Sequence, residues 1–353
     1  MTRTSFTFLV HPRTRTGEDL ARVWRPLGRV PEKVYDTALR RLPLPPVTIA
    51  AVEVGGEQVG HVVLVPFGAR HLLEAPAEGR ARVARAVDRA VALGSGVVGL
   101  GALTATVTAG GASLRSRTDI AVTNGNAFTA ATVERQARDA LDRFVTTGGR
   151  RVAVVGATGS VGTAVSRLLA RDGGVEHLVL VSRTAPRLAG LAAEVGARVP
   201  TTTATDLRAV AAADLVILLT ASADAVLRAE HLAPGAVVID ATQPRNTSPG
   251  LLVERPDVLV LDGGVVDVPS LRLHGSDIGL PDGRAYACFA ETAMLALSGQ
   301  RRHFSIGHPG LDLVDRTRGL AADLAHLGFV PAAPTSFGRP VERAGVLEAG
   351  VAA

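Results

Sequence analysis

Residues Arg151–Gly162, RVAVVGATGSVG, constrain the fold of this chain more than any other stretch. The uninterrupted apolar run Val152-Ala153-Val154-Val155 enters a glycine turn, which is the pattern of a parallel strand covered on both faces. Gly156 suits a tight turn, Gly159 lets the backbone approach a pyrophosphate, and Gly162 lets the next helix pack closely on the strand. A helix expected over Thr163–Ala170 then offers unpaired N–H groups and a positive dipole end to phosphates. A glycine triplet alone is a weak signal. With a strand before it, a helix after it and a second strand at Leu178–Val181, it reads as a dinucleotide turn. Gly156, Thr158, Gly159, Ser160, Val161 and Gly162 are its candidate contacts.

Further apolar runs at Leu215–Leu219, Val237–Ile239 and Val258–Leu261 alternate with helical patterns such as Arg187–Val195 and Ala223–Glu230. That alternation predicts an α/β protein with a Rossmann-type doubly wound parallel sheet in the middle of the chain. Upstream, residues 1–45 are rich in Pro and Arg. Val47–Val54 and His61–Val65 read as strands joined by a Gly-Gly turn, Arg80–Leu93 as an amphipathic helix and Val97–Leu103 as a strand. Ile120–Val122 leads to a helix over about Ala127–Phe144 that Asn126 or Thr129 would cap. After Asp262-Gly263-Gly264 the pattern changes, and Ala287–Leu297 reads as an apolar helix. The expected domains are an N-terminal α/β substrate domain, 1–147, and a nucleotide domain, 148–286, joined at Thr146–Gly149. A C-terminal helical segment, 287–353, would return to the first domain and end in a flexible tail after about Arg339.

Composition excludes several classes. At 47% hydrophobic and 20% charged, the chain can bury a core, and no apolar run approaches the ~18 residues of a membrane span. The N-terminal MTRTSFTFLVHPRTRT lacks a cleavage site of small residues, so a cytoplasmic protein is expected. Cys288 is the only cysteine, which excludes disulfides and cysteine-rich zinc sites, and no His and carboxylate grouping has metal-ligand spacing. Lys33 is the only lysine and stands in an unremarkable polar stretch, which argues against Schiff-base chemistry. The net charge of +5 suits an acidic partner, but aromatics are only 3%, so nucleic acid is not an expected one. Arg82, Arg85 and Arg89 fall on one helical face, either a solvated stripe or a dock for an acidic carrier.

The second strand ends at Val181 and leads to Ser182-Arg183-Thr184, with Arg187 one turn on. An NAD site would place a carboxylate here for the ribose 2′-hydroxyl. A hydroxyl and two guanidiniums suit a 2′-phosphate instead, so NADPH is the expected cofactor. Thr220 and Ala221, after the fourth strand, would border the adenosine or the nicotinamide ribose.

Cys288 opens the apolar helix, where the dipole is expected to favour its thiolate. A thiolate that attacks a thioester gives an acyl-enzyme, from which hydride transfer would release an aldehyde. A lone cysteine near apolar residues is more often a small buried hydrophobe. Beyond the cysteine, seven blocks occur in order over residues 95–310. They are Gly99–Thr104, Thr123–Asn126 with Thr129-Ala130, Val152–Gly162, Val238–Asp240 with Pro244–Asn246, Gly263–Val266, Ala287–Glu291 and Phe304–Gly307. With these blocks the chain resembles the aldehyde-forming long-chain acyl-[acyl carrier protein] reductases of cyanobacteria and their actinobacterial relatives. It departs from that pattern at Ala241-Thr242-Gln243 and at His308-Pro309, both of which bear on the acyl pocket.

The resemblance implies that Cys288 is the acylated nucleophile. It also implies an N-terminal substrate domain, a middle NADPH domain and a C-terminal helical segment. The implied reaction takes an acyl-carrier-protein or acyl-CoA thioester with NADPH to a fatty aldehyde. Thr104, Asn126 and Thr129 are candidate substrate-pocket donors, on the view that loop hydroxyls and amides there would stabilise the carbonyl oxygen. Glu291 reads as mainly structural, and His303 and His308 are the histidines nearest the cysteine in sequence. Two alternatives stand beside this reading: a dehydrogenase of shikimate or amino-acid type without a covalent step, and a dinucleotide-binding regulator without turnover.

Overall fold

The structure describes residues 3–12, 17, 25–145, 148–222 and 226–341 of the 353. In the computed structural model the chain groups into two compact units, Met1–Thr132 with Val265–Ala332 and Val133–Gly264 with Ala333–Ala353. Thr146 and Thr147, where the expected joint begins, lie outside the described residues, as does the expected tail beyond Val341.

The first unit holds a six-stranded mixed sheet. Its strands are β1 (Ser5–Val10), β2 (Val47–Val54), β3 (Glu57–Leu64), β4 (Ser95–Leu100) and β5 (Ala121–Thr123), with Leu271–Gly275 as an antiparallel edge beside β2. Read across the sheet, the order is Leu271–Gly275, β2, β3, β1, β4, β5. β1 pairs in parallel with both β3 and β4, which makes it an internal strand. Its alternation explains why. Phe6 and Phe8 pack edge-on against Phe289 at 5.5 and 5.1 Å on one face, while Leu9 joins Val63, Val83 and Val87 on the other. A strand inside the Pro- and Arg-rich start was not expected, nor was the helix Glu32–Arg41.

Helix Pro76–Ala92 covers one face of this sheet and helix Ala287–Leu297 the other. The second helix rides directly on β4, since a Cβ at Gly99 would collide with the Thr292 hydroxyl. The Gly-Gly turn is as expected, with Gly55 at φ 65° and Gly56 at φ 83°. The strand expected to run to Leu103 stops at Leu100, because Ala102 turns to φ 47° and a short helix, Leu103–Val107, begins.

The basic stripe needs correction. Arg82 is buried at 5% exposure, lies over the Phe67 ring and donates to Glu78 and to the carbonyls of Leu42 and Pro66. A guanidinium this well matched by internal acceptors is a core fastening, so only Arg85 and Arg89 of the three are exposed.

The second unit holds a six-stranded sheet, all parallel. Its strands are β6 (Arg151–Val155), β7 (His177–Val181), β8 (Thr201–Ala204), β9 (Leu215–Leu218), β10 (Val237–Asp240) and β11 (Leu259–Asp262). Taken as strands one to six, their spatial order is 3-2-1-4-5-6, the order of dinucleotide-binding folds, with the switch point between β6 and β9. The chain is an α/β protein with a Rossmann-type doubly wound sheet. The helical pattern at Ala223–Glu230 does not become a helix in its described part, which holds only the 3-10 turn Ala229–His231. Residues 223–225 lie outside the described set.

Candidate active site

In the second unit the glycine turn leaves β6 at the switch point. Gly156 adopts φ 87°, and a Cβ there would lie 2.7 Å from the Leu219 carbonyl at the end of β9. The helix after the turn runs Ser160–Asp172, starting earlier than expected, with Gly159 as its N-cap. At Gly162 a Cβ would collide with the Gly156 carbonyl, so only glycine lets this helix close on the strand. The first N–H groups of such a helix have no carbonyl within it to bond. Thr158 and Ser182 share a hydroxyl–hydroxyl bond of 2.5 Å, and Arg183 and Arg187 are exposed nearby in the chain. No carboxylate occurs between Ser182 and Arg187. The Thr220 hydroxyl donates to the Asn246 side chain, and Ala221 is exposed. These residues fit a dinucleotide: a tight left-handed glycine, a glycine cradle and an uncapped helix start.

Beside Thr220 lies a second fastening. The Asp240 carboxylate is buried at the end of β10 and accepts from the amides of Thr242, Asn246 and Thr247 and from both threonine hydroxyls. The departure Ala241-Thr242-Gln243 is thus part of a knotted loop.

In the first unit Cys288 is the second residue of helix Ala287–Leu297, whose bounds match expectation. The residue is partly open to solvent. Burial pushes its thiol up to about 12. The Glu291 charge acts in the same direction, against the amides of Phe289, Cys288 and Ala102, which favour the thiolate. Burial therefore outweighs the amides at the helix start, and the shift runs against the expected activated thiolate.

Both loops expected to carry substrate donors flank the cysteine, but through backbone. Ala102 turns its amide to the sulfur from a left-handed conformation. Gly125, at φ 72°, sits so close that a Cβ would collide with the α- and β-carbons of Cys288. The hydroxyl protons expected to serve the substrate are spent elsewhere. Thr104 is fully buried and donates to the Gly101 carbonyl at 2.8 Å, and Thr129 donates to the Gly125 carbonyl at 2.8 Å. Asn126 is half-buried, and its amide donates to Asn124 at 3.0 Å, so the side chain that starts the helix Asn126–Arg143 is Asn124. Asn124 also bonds the carbonyls of Gly110 and Gly307 and the Ser305 hydroxyl, which joins three loops at this point.

His303 is not placed as a base. His303 accepts the Val122 amide on Nδ1 and lies 3.0 Å from the Arg115 carbonyl on Nε2, so both nitrogens are used. His308 is exposed. Sequence proximity missed His11 at the end of β1, whose Nε2 accepts the Leu103 amide next to Ala102. Among the described residues, no group of three or more His, Cys, Asp or Glu is arranged to hold a metal, and no helix is long and apolar enough to cross a membrane.

A family profile described as Shikimate / quinate 5-dehydrogenase matches residues 137–260, which fall within the second unit. Aminotransferase PigE of a Serratia species is 30% identical over 298 residues, 82% of this chain and 34% of that protein. The long-chain acyl-[acyl-carrier-protein] reductase of Synechococcus elongatus is 31% identical over 218 residues, 60% of this chain and 62% of that protein. The chain therefore spans about a third of the first relative and under two thirds of the second. Among solved structures, the iminosuccinate reductase of Paracoccus denitrificans, bound to NAD+, is 24% identical over 33% of this chain and 36% of that one, with a TM-score of 0.28. The second unit thus has the fold of NAD(P)-dependent oxidoreductases, and the likeness to an acyl-carrier-protein reductase is partial.

Proposed function

We propose that the protein is an NADPH-dependent reductase that takes an acyl group from a carrier thioester, on acyl carrier protein or coenzyme A, onto Cys288 and releases it as an aldehyde. The observation that carries this reading is the setting of the lone cysteine. It stands at the start of a buried helix, partly open to solvent, with the Ala102, Cys288 and Phe289 amides about its sulfur. The partial likeness to the Synechococcus reductase supports it.

In the first step the Cys288 sulfur bonds to the acyl carbon and the carrier thiol leaves. The Cys288 proton passes to that departing sulfur, so one thiol replaces another and no strong base is consumed. The amides turned to the sulfur are donors for the carbonyl oxygen as charge develops there. NADPH, when bound, supplies the hydride. Collapse of the reduced adduct then breaks the carbon–sulfur bond, frees the aldehyde and leaves a Cys288 thiolate, which regains its proton from water. Gly156, Thr158, Gly159, Ser160, Val161 and Gly162 would hold the pyrophosphate, Ser182, Arg183 and Arg187 the 2′-phosphate, and Thr220 and Ala221 the ribose side.

The names of the other relatives fit less well. Aminotransfer through a Schiff base needs a lysine, and Lys33 is exposed on helix Glu32–Arg41. A shikimate-type dehydrogenase also relies on a lysine, and the matching profile covers only the nucleotide-binding part.

Intact mass after incubation with a panel of acyl-CoA thioesters tests the reading. One acyl mass should be gained, be absent in Cys288→Ala, and be lost as aldehyde on adding NADPH. Hydride transfer to a free keto acid with no adduct would instead place the protein among dehydrogenases without a covalent step. Cofactor choice is tested separately. Replacing Arg183 and Arg187 by serine should weaken NADPH binding at least ~10-fold and leave NADH binding unchanged, since only the 2′-phosphate loses its charge-assisted bonds. Equal loss for both cofactors in a titration would remove that assignment.

A further inference from the structure

Glu291 lies one helical turn beyond Cys288 and has no exposed surface. An enclosed carboxylate is tolerated where its oxygens are bound. One oxygen receives the Thr123 hydroxyl and the other the Phe128 amide at 2.8 Å, and the amides of Ala127 and Gly125 join them. These amides belong to the turn and first residues of helix Asn126–Arg143, which no carbonyl of that helix can reach. Glu291 therefore caps one helix from another, with its charge at the positive dipole end.

The turn it grips includes Gly125, which is seated directly on Cys288. From within its own helix, the Thr292 hydroxyl bonds the Cys288 carbonyl at 2.9 Å. The backbone of the cysteine is thus held from two sides, and only the grip on the turn depends on Glu291.

We propose that Glu291 is a positioning residue for Cys288: its carboxylate fastens the turn Thr123–Phe128 against the nucleophile and fixes one wall of the thiol's pocket. The inference deepens the acyl-transfer reading and takes its chemistry from it, but the positioning can be read from the thiol alone.

The test compares Glu291→Gln, Glu291→Ala and Thr123→Val by two rates, both followed by intact mass. One is adduct formation with acyl-CoA. The other is alkylation of Cys288 by iodoacetamide at pH 8. Glutamine fills the same space and keeps a carbonyl oxygen for the Phe128 amide, so acylation should stay within about 3-fold of the parent. Its alkylation should be faster, because a negative charge beside the thiol is gone. Alanine leaves the amides without an acceptor, so acylation should fall at least ~30-fold while alkylation rises further as the wall loosens. Thr123→Val removes, at constant shape, the bond to Glu291 and the two that the hydroxyl accepts from the Gly125 and Ser305 amides, and acylation should fall about 5-fold.

Equal acylation and alkylation rates in the glutamine and alanine variants would overturn the proposal, as would parental rates in both the alanine and Thr123→Val variants. If Glu291→Ala does not fold, the glutamine and Thr123→Val variants decide: parental rates in both would overturn it. If nothing acylates, even the parent, but alkylation still orders alanine above glutamine above parent, the acyl-transfer reading fails and the positioning role stands.

Discussion

Gly125→Ala is expected to slow acyl transfer at least ~100-fold and to destabilise the first unit by about 3 kcal/mol. Two costs combine. Position 125 lies at φ 72°, where a Cβ crowds its own backbone, and that Cβ would also collide with the α- and β-carbons of Cys288. The turn cannot retreat freely, since Asn124 on one side and Glu291 on the other tie it down. The nucleophile must therefore move, and a displacement near 1 Å is enough to lower the rate by ~100-fold. Gly94→Ala separates the two costs. Gly94 has φ 74° with nothing within 4 Å of a built Cβ, so it should lose only about 1 kcal/mol and keep its activity. Urea unfolding and the acyl-adduct rate measure both variants. Equal losses at the two positions would show that the contact with Cys288 carries no weight.

The parallel sheet of the second unit was legible because strands covered on both faces appear as unbroken apolar runs punctuated by glycine, as in Val152–Gly156. β8 was not, because Thr201–Ala204 is an edge strand with exposed positions and an all-polar start. β1 was hidden by its surroundings: its short apolar stretch precedes His11-Pro12 and a segment rich in arginine. At the cysteine, the helix bounds could be read locally and the thiol's character could not. Glu291 meets Thr123 across 168 positions, and the Gly125 turn and Ala102 amide set against the cysteine are as far away in sequence. The left-handed Ala102 had no signal, since glycine is the residue that normally marks such a turn. The hydroxyls of Thr104 and Thr129 are different. Hydroxyls near a helix start commonly bond a carbonyl three or four residues back, so their unavailability followed from a local rule.

Glu291→Gln should stabilise the protein at pH 8 and leave it unchanged at acid pH. Burial pushes the Glu291 carboxyl up to about 7 from 4.5, and the donors from Thr123, Phe128, Ala127 and Gly125 offset only part of that. A carboxyl raised in the folded state binds its proton more tightly there than when unfolded. Its stabilising contribution is therefore complete below pH 4.5 and is lost as the pH rises through 7. The loss is on the order of 3 kcal/mol. Glutamine does not titrate and so escapes it. The gain of the variant over the parent should be near zero at pH 4.5, grow through pH 6 and level off by pH 8. That window lies below the one in which Cys288 titrates, since its thiol is raised from 9.0, so the two groups do not confuse the measurement. Urea midpoints for both proteins across pH 4.5–8 provide the comparison. A gain that does not change with pH would mean that Glu291 binds its proton equally well folded and unfolded, its donors cancelling the effect of burial. A parent more stable than the variant at pH 8 would mean that the helix it caps rewards the charge by more than burial penalises it. In that case the carboxylate would act on Cys288 as a permanent negative neighbour.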